Sequence, residues 1–324
     1  MAIKRTIKRN FEEEVLTIYS AFYEFIEEKE CKNLSAVSIR DYEKTFHFFM
    51  NYFQFDDTTP LHVVNNEMFR DWTKSLLEKD LKPASINRYL GDCRVFFRWC
   101  IDNAYLHLPD LKIKLIRGQD TGVKSFPDDE LYIITEKPNN LNSFTDWRMW
   151  TIINWVLATG NRCSTVCEVR IGDIDFKNKE IMLRHTKNKK AQVIPLSSAL
   201  EVIIKDYIRT WRYGADAEDY LFPNTANDYL TPAALAHAFA KYCKNRGCKH
   251  TNIHGLRHSF ALNWVRNGGS EFKLQKILGH TTLDMTRRYV ALATADLKDD
   301  YEQFSTLDKL RQQSKKPKKL ICRA

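Results

Sequence analysis

From residue 11 to residue 105 the apolar residues recur at intervals of three and four, with charged residues between them. That spacing gathers them on one face of a helix, and no stretch in this region alternates as a half-buried strand would. FEEEVLTIYSAFYEFIEEKE reads as a first helix. SAVSIRDYEKTFHFFMNYF reads as a second, with Ser35 or Ser38 as its N-cap. EMFRDWTKSLLEKD reads as a third. KPASINRYLGDCRVFFRWCIDNA reads as a fourth, with Pro83 near its start. Four helices on short connections make a small all-helical domain.

The pattern breaks over residues 106–131, LHLPDLKIKLIRGQDTGVKSFPDDEL, where prolines and glycines suggest an exposed connection. Beyond it the periods are mixed. SFTDWRMWTIINWVLATG reads as a helix ended by Gly160, and NRCSTVCEVR begins another. GDIDFKNKEIMLRHTKNKKAQVIPLS reads as short strands, with EIMLRHT and AQVIPLS flanking a KNKK turn. Helical patterns then resume over SALEVIIKDYIRTWRY, TPAALAHAFAKYCKNRG, HGLRHSFALNWVRNGG and EFKLQKILGH. The expected fold class is mainly α with a small β-sheet: an all-helical domain followed by a mixed α/β domain. The boundaries expected are 1–112 for the helical domain, 113–126 for the linker, 127–295 for the second domain and 296–324 for a C-terminal helix and basic tail.

Composition narrows the function. The chain has 324 residues, a net charge of +9 and a pI near 9.0, a balance that favours a polyanionic partner, nucleic acid first and an anionic membrane surface second, and charge alone does not choose between them. No secretory leader or uninterrupted apolar run of membrane-spanning length is present, so a cytoplasmic, nucleoid-associated protein is expected, with no membrane partner. None of the eight cysteines forms a C-x-x-C pair, and free, buried thiols are expected in place of zinc ligands. GQDTGVKS resembles a phosphate-binding loop, but position 123 is Val where the motif needs Gly, and no strand precedes it. No nucleotide, metal or other cofactor is expected.

Four short stretches carry the chemistry. ATGNRCSTVCEVR holds Arg162 just after a helix-ending glycine. RHTKNKKAQVIPL holds Lys187 at the hairpin tip. HGLRHSFA holds His254 and Arg257, three apart and so near one another on one helical turn. LGHTTLDMTRRYV holds His280 and, nine residues on, Tyr289. Taken singly, each has an ordinary explanation. Arg162 could cap the preceding helix or bind a backbone carbonyl. Lys187 sits in a charged turn, and charged turns are usually solvated. His250, His254 and His258 recur every four residues, which invites a zinc site, but the motif lacks the acid of an H-E-x-x-H site. His258 reads as a residue that packs or that supports the site from behind, and Tyr289 on its own would pass for a core aromatic.

Together, in this order and at these spacings, Arg162, Lys187, His254-x-x-Arg257, His280 and Tyr289 resemble the tyrosine site-specific recombinases, or phage-type integrases. The resemblance covers nearly the whole chain. The helical region resembles that family's SAM-like core-binding domain, with SIRDYEKTFHFF and ASINRYLGDCRVFFRW as its recurring helices. Two departures stand out: Asn161 precedes the arginine where the family has leucine, and Thr165 follows Ser164 where the family has an acid.

The resemblance implies six catalytic residues, Arg162, Lys187, His254, Arg257, His280 and the nucleophile Tyr289. DNA contacts are expected from Arg40, Arg88, Lys189 and Lys190. The chemistry fits the residue types. Attack on a phosphodiester builds negative charge on the phosphoryl oxygens, and two arginines from separate segments can grip them. The histidines can donate to the same oxygens or move protons, and Lys187 can protonate the leaving 5′ oxygen. A phenol titrating near ~10 becomes a usable nucleophile when cations surround it. A 3′-phosphotyrosine would then store the bond energy, so no ATP is needed.

The resemblance further implies double-stranded DNA and a homo-tetramer on paired sites, with room for accessory DNA-bending or directionality factors. Residues 296–310 would form a subunit-exchange helix with Leu297, Tyr301 and Phe304 on one side, and Lys315, Lys316, Lys318 and Lys319 would follow as a basic tail. About ten residues precede the first helix, so no separate arm-binding domain is expected. RRYVALA departs from the Y-x-H ending of chromosome-dimer resolvases and leans towards the integrase or transposase of a mobile element. The alternatives are a chromosome or plasmid dimer resolvase, type IB topoisomerase-like relaxation, a catalytically inert DNA-binding protein, and a metal-dependent nuclease using the three histidines.

Overall fold

The computed structural model describes residues 16–118, 124–139, 143–184 and 191–293. The chain divides after Asp120 into two compact units.

The first unit is helical. α1 (Ile18–Cys31) starts at Thr17, whose side chain accepts from Ser20 N while Ser20 closes the reciprocal bond. This capping box satisfies two of the helix's orphan donors, so Leu16 and Thr17 stay outside a helix that the apolar period had carried back to Phe11; residues 11–15 lie outside the described residues. α2 (Ala36–Phe53) is capped by Ser35. α3 (Asn66–Glu78) is capped by Asn65, and α4 (Pro83–Asp102) carries Pro83 in its first turn. The core between them is aromatic. Trp72 is fully buried against Phe49, edge to face at a centroid separation of 5.1 Å, and Phe22 stacks on Phe46 at 3.7 Å.

The connection is less exposed than its composition suggests. Leu106 and Ile113 are buried, and Asn87 holds both the N–H and the C=O of Ile116, at 2.8 and 3.0 Å. Arg94 donates to the Ile113 carbonyl. Amphipathic residues lying between prolines and glycines pack here as extended chain.

The second unit opens with Phe126, buried, and α5 (Asp128–Thr135), a short helix that its place inside the connection concealed. α6 (Phe144–Thr159) is buried almost all round and forms the centre of the unit. It ends on Gly160 at φ +65°, where a Cβ would meet the Phe260 ring at 2.4 Å and Leu278 at 2.7 Å, so both the backbone and the space require glycine. α7 (Cys163–Glu168) follows. Three antiparallel strands, β1 (Ile174–Asp175), β2 (Glu180–Leu183) and β3 (Gln192–Pro195), form a meander. Its register pairs buried Ile181 with buried Ile194 and exposed Met182 with exposed Val193, the alternation expected of a one-sided sheet. α8 (Ser198–Trp211), α9 (Pro232–Asn245), α10 (His254–Arg266), α11 (Glu271–Leu278) and α12 (Asp284–Ala293) complete it. The expected fold class, mainly α with a small sheet, is the observed one. Among the described residues no helix is long and apolar enough to cross a membrane.

Candidate active site

α10 packs against α6, α11 and α12, and this packing brings the separate motifs together. A cleft of about 210 Å³ is lined by Arg162, Arg257, His258, His280, Met285, Arg288 and Tyr289. Four of the six sequence-derived candidates therefore share one cleft. His254, the first residue of α10, is outside that lining, although partial burial and then the Arg257 and Arg162 charges lower its pKa. Lys187, Lys189 and Lys190 lie outside the described residues, as do residues 296–324 and the rejected phosphate-loop position Val123.

Arg257 organises the cleft. It is 7% exposed, and no carboxylate among the described residues neutralises it. One nitrogen donates to the Gly160 carbonyl at 2.6 Å, and the other donates to the Leu278 carbonyl at 2.9 Å. These are the carbonyl ends of α6 and α11, where the helix dipoles favour a cation. The second nitrogen also reaches His280 Nε2 at 3.0 Å. Burial, then repulsion from Arg162, lowers its pKa to about 10, so it stays charged at neutral pH. Arg162 itself is partly buried at the N-cap of α7 and makes no side-chain cap there. The carbonyl-capping explanation considered for Arg162 thus describes Arg257 instead.

His280 follows Gly279, the left-handed C-cap of α11 at φ +62°. A guanidinium can only donate, so His280 Nε2 must accept from Arg257 and the ring proton must sit on Nδ1. Nδ1 faces Thr286 Oγ1 at 2.9 Å. Burial and the Arg257 and Arg162 charges push the His280 pKa down to about 4, in agreement with a neutral ring. Tyr289, on α12, is 5% exposed, with its ring 8° from parallel to that of His280. Burial raises the phenol pKa, while Arg257, Arg162 and Arg288 oppose the rise. The phenol Oη lies 2.8 Å from His258 Nδ1.

Two cations with no counter-ion among the described residues, beside a buried phenol, form a site that favours an anion. A phosphodiester entering the cleft would meet donors on one side and the hydroxyl on the other. Residues 125–296 match the Phage integrase family, and residues 20–103 match its N-terminal SAM-like domain.

The chain belongs to the phage integrase family of tyrosine recombinases.

Relatives of this recombinase include tyrosine recombinase XerC of Oceanobacillus iheyensis, 24% identical over 278 residues, covering 83% of this chain and 90% of the relative. Tyrosine recombinase XerD of Listeria innocua is 25% identical over 282 residues, covering 84% and 94%. Among solved structures, the Tn1549 transposon integrase in complex with transposon right end DNA shares the fold at a TM-score of 0.70 and 19% identity, covering 85% of this chain and 94% of that one.

Several residues of the site were not singled out from sequence. His258, read as packing or supporting the site, touches the phenol. Thr286 is fully buried and fixes the His280 ring. Of the two arginines before Tyr289, Arg288 lines the cleft while Arg287 pairs with Asp284 at 3.4 Å. Asn161, one of the departures from the family pattern, is buried and accepts from Trp155 Nε1 at 2.9 Å, so its role is in packing. The histidine cluster does not form a metal site: His250 Nδ1 instead meets Glu130 at 3.1 Å, and among the described residues no group of three potential ligands converges. In the helical unit Arg40 is exposed, and Arg88 pairs with Asp41 at 3.4 Å over the Tyr89 ring.

Proposed function

We propose that this recombinase cleaves one strand of duplex DNA with Tyr289, forming a 3′-phosphotyrosine, and rejoins it to a 5′ hydroxyl from another duplex. Arg162 and Arg257 hold the phosphoryl oxygens, His254 and His280 support them, and Lys187 protonates the leaving 5′ oxygen. The observation that carries the reading is the pair of arginines, with no counter-ion among the described residues, that share one cleft with the Tyr289 phenol. Attack builds charge where those cations already stand, and no rearrangement of solvent is needed.

The working assembly is a homo-tetramer on two DNA sites, with the units bounded as 1–112, 113–126, 127–295 and 296–324. Arg40, Arg88, Lys189 and Lys190 contact the phosphates, and the biological role is integration or transposition of a mobile element. The RRYVALA segment, which departs from the Y-x-H ending of dimer resolvases, supports that role. Resolution of chromosome or plasmid dimers is the second reading, and the relatives named XerC and XerD favour it.

The test is a pool of nicked suicide duplexes with randomised cores, incubated with the protein in EDTA and resolved under denaturing conditions. Wild type is expected to leave a covalent protein–DNA adduct, and Tyr289→Phe none. Cleavage that needs a metal and leaves no adduct contradicts the reading. Sequencing the trapped duplexes, and comparing them with the ends of the element carrying the gene, separates the two biological roles.

A further inference from the structure

We propose that His258 is a seventh catalytic residue, the base that takes the proton from Tyr289 as the phenol attacks phosphorus. The proposal rests on the reading of Tyr289 as the nucleophile.

The argument is geometric. Among the described residues, His258 Nδ1 makes the one hydrogen bond to the phenol, at 2.8 Å, inside the range required of a general base. The other groups lining the cleft cannot serve. Arg162, Arg257 and Arg288 are cations without a lone pair to offer. His280 has both ring nitrogens engaged, one with Arg257 and one with Thr286. His254 is outside the cleft lining. His258 is one turn beyond His254 on α10 and half-buried, so its ring is held against α12 by packing.

The protonation state agrees. Burial, then the neighbouring His254 and Arg257, lowers the His258 pKa, so the ring is neutral at neutral pH. With the ring proton on Nε2, Nδ1 presents its lone pair to the phenol hydrogen. In the step itself the Oη–H bond breaks and the proton passes to Nδ1. The Oη–P bond forms and the P–O5′ bond breaks, with O5′ protonated by a separate acid. The resulting imidazolium faces Arg257 and His254 on α10, Arg162 at the start of α7, His280 on the turn before α12 and Arg288 on α12. The three arginines disfavour it, so the proton is returned readily to Oη when a 5′ hydroxyl reverses the reaction. A transiently held proton suits a reaction that must run both ways.

The experiment uses the full chain, a nicked duplex recovered from the randomised pool, and the same duplex with a bridging sulfur in place of the scissile O5′. A thiolate leaves without help from an acid, so the sulfur substrate hides defects in leaving-group protonation but not defects in nucleophile activation. His258→Gln keeps a hydrogen-bonding side chain and loses the base. Its adduct formation in single turnover is expected to fall roughly 10²–10⁴-fold on both substrates, with Lys187→Ala rescued on the sulfur substrate as the control. The wild-type rate is expected to level off above the His258 titration, while His258→Gln continues to rise with pH as hydroxide takes over. DNA binding and thermal unfolding of the variant confirm that it is folded. A rate equal to wild type, a defect rescued by sulfur, or an unchanged pH profile would each overturn the assignment. Wild type forming no adduct with any duplex overturns the nucleophile reading on which it rests.

Discussion

The helical unit and the catalytic unit bury charge very differently. In the first, the interior is rings: Phe22, Phe25, Phe49, Phe69, Phe97 and Trp72 pack on one another, and the half-buried Asp92 accepts from Thr45 at 2.8 Å. In the second, Arg257 is buried beside Arg162 with no counter-ion among the described residues, and three histidines nearby are held neutral. A domain whose task is to hold its shape removes unpaired charge from its interior. A domain that must bind a passing anion keeps such charge and satisfies it meanwhile with helix-end carbonyls. The difference locates function without reference to any relative.

That contrast can be broken in steps. Trp72→Ala is expected to have the largest effect on stability, about 3–5 kcal/mol, because a fully buried ring leaves a cavity that the surrounding aromatics cannot fill. Urea unfolding measures it, and adducts formed by the folded fraction should remain attached through Tyr289. Loss of the adduct in folded protein would mean that the two units do not divide the work in this way.

Arg257→Ala comes next. Adduct formation should fall about 10²–10³-fold in single-turnover cleavage, the usual loss for one oxyanion donor. The variant should also lose about 1–3 kcal/mol of stability, since the Gly160 and Leu278 carbonyls and His280 Nε2 lose their shared donor. A rate loss without any stability loss would show that the carbonyl bonds are incidental.

The smallest effect is in pH, and its sign differs between the units. The His280 pKa falls from 6.5 to about 4 on folding, so the unfolded chain binds more protons between those values. Stability contributed by the neutral ring is present above about 6.5 and is lost as pH falls towards 4. The Asp92 pKa is raised by burial, so its contribution has the opposite sign and the helical unit gains as the acid is protonated. Thermal melts of wild type and His280→Gln from pH 7 to pH 4 check this: the substitution should flatten the acid-side loss, and an unchanged slope would assign it elsewhere.

The sequence was most legible where local physics decides. Ser35, Pro83 and Gly160 each mark a helix end because capping chemistry and backbone freedom act within one turn. α5 was concealed because eight residues next to prolines carry too little period to read. Of the site, the order of Arg162, Arg257, His280 and Tyr289 was legible as a motif, but its wiring was not. Thr286 on His280, His258 on Tyr289, and Glu130 on His250 across 120 positions are tertiary contacts with no trace in spacing. His258 had the right residue type next to Arg257, but spacing alone left it between packing and a supporting role, for want of a visible partner.

The central claim is that one of the chain's fourteen tyrosines carries the DNA. Trypsin digestion of the trapped adduct, nuclease trimming and mass spectrometry locate it directly. The account predicts a 3′-phosphonucleotide on Tyr289, in the peptide beginning immediately after Arg288. The same mass increment on any other tyrosine, or an adduct that persists in Tyr289→Phe, would contradict it.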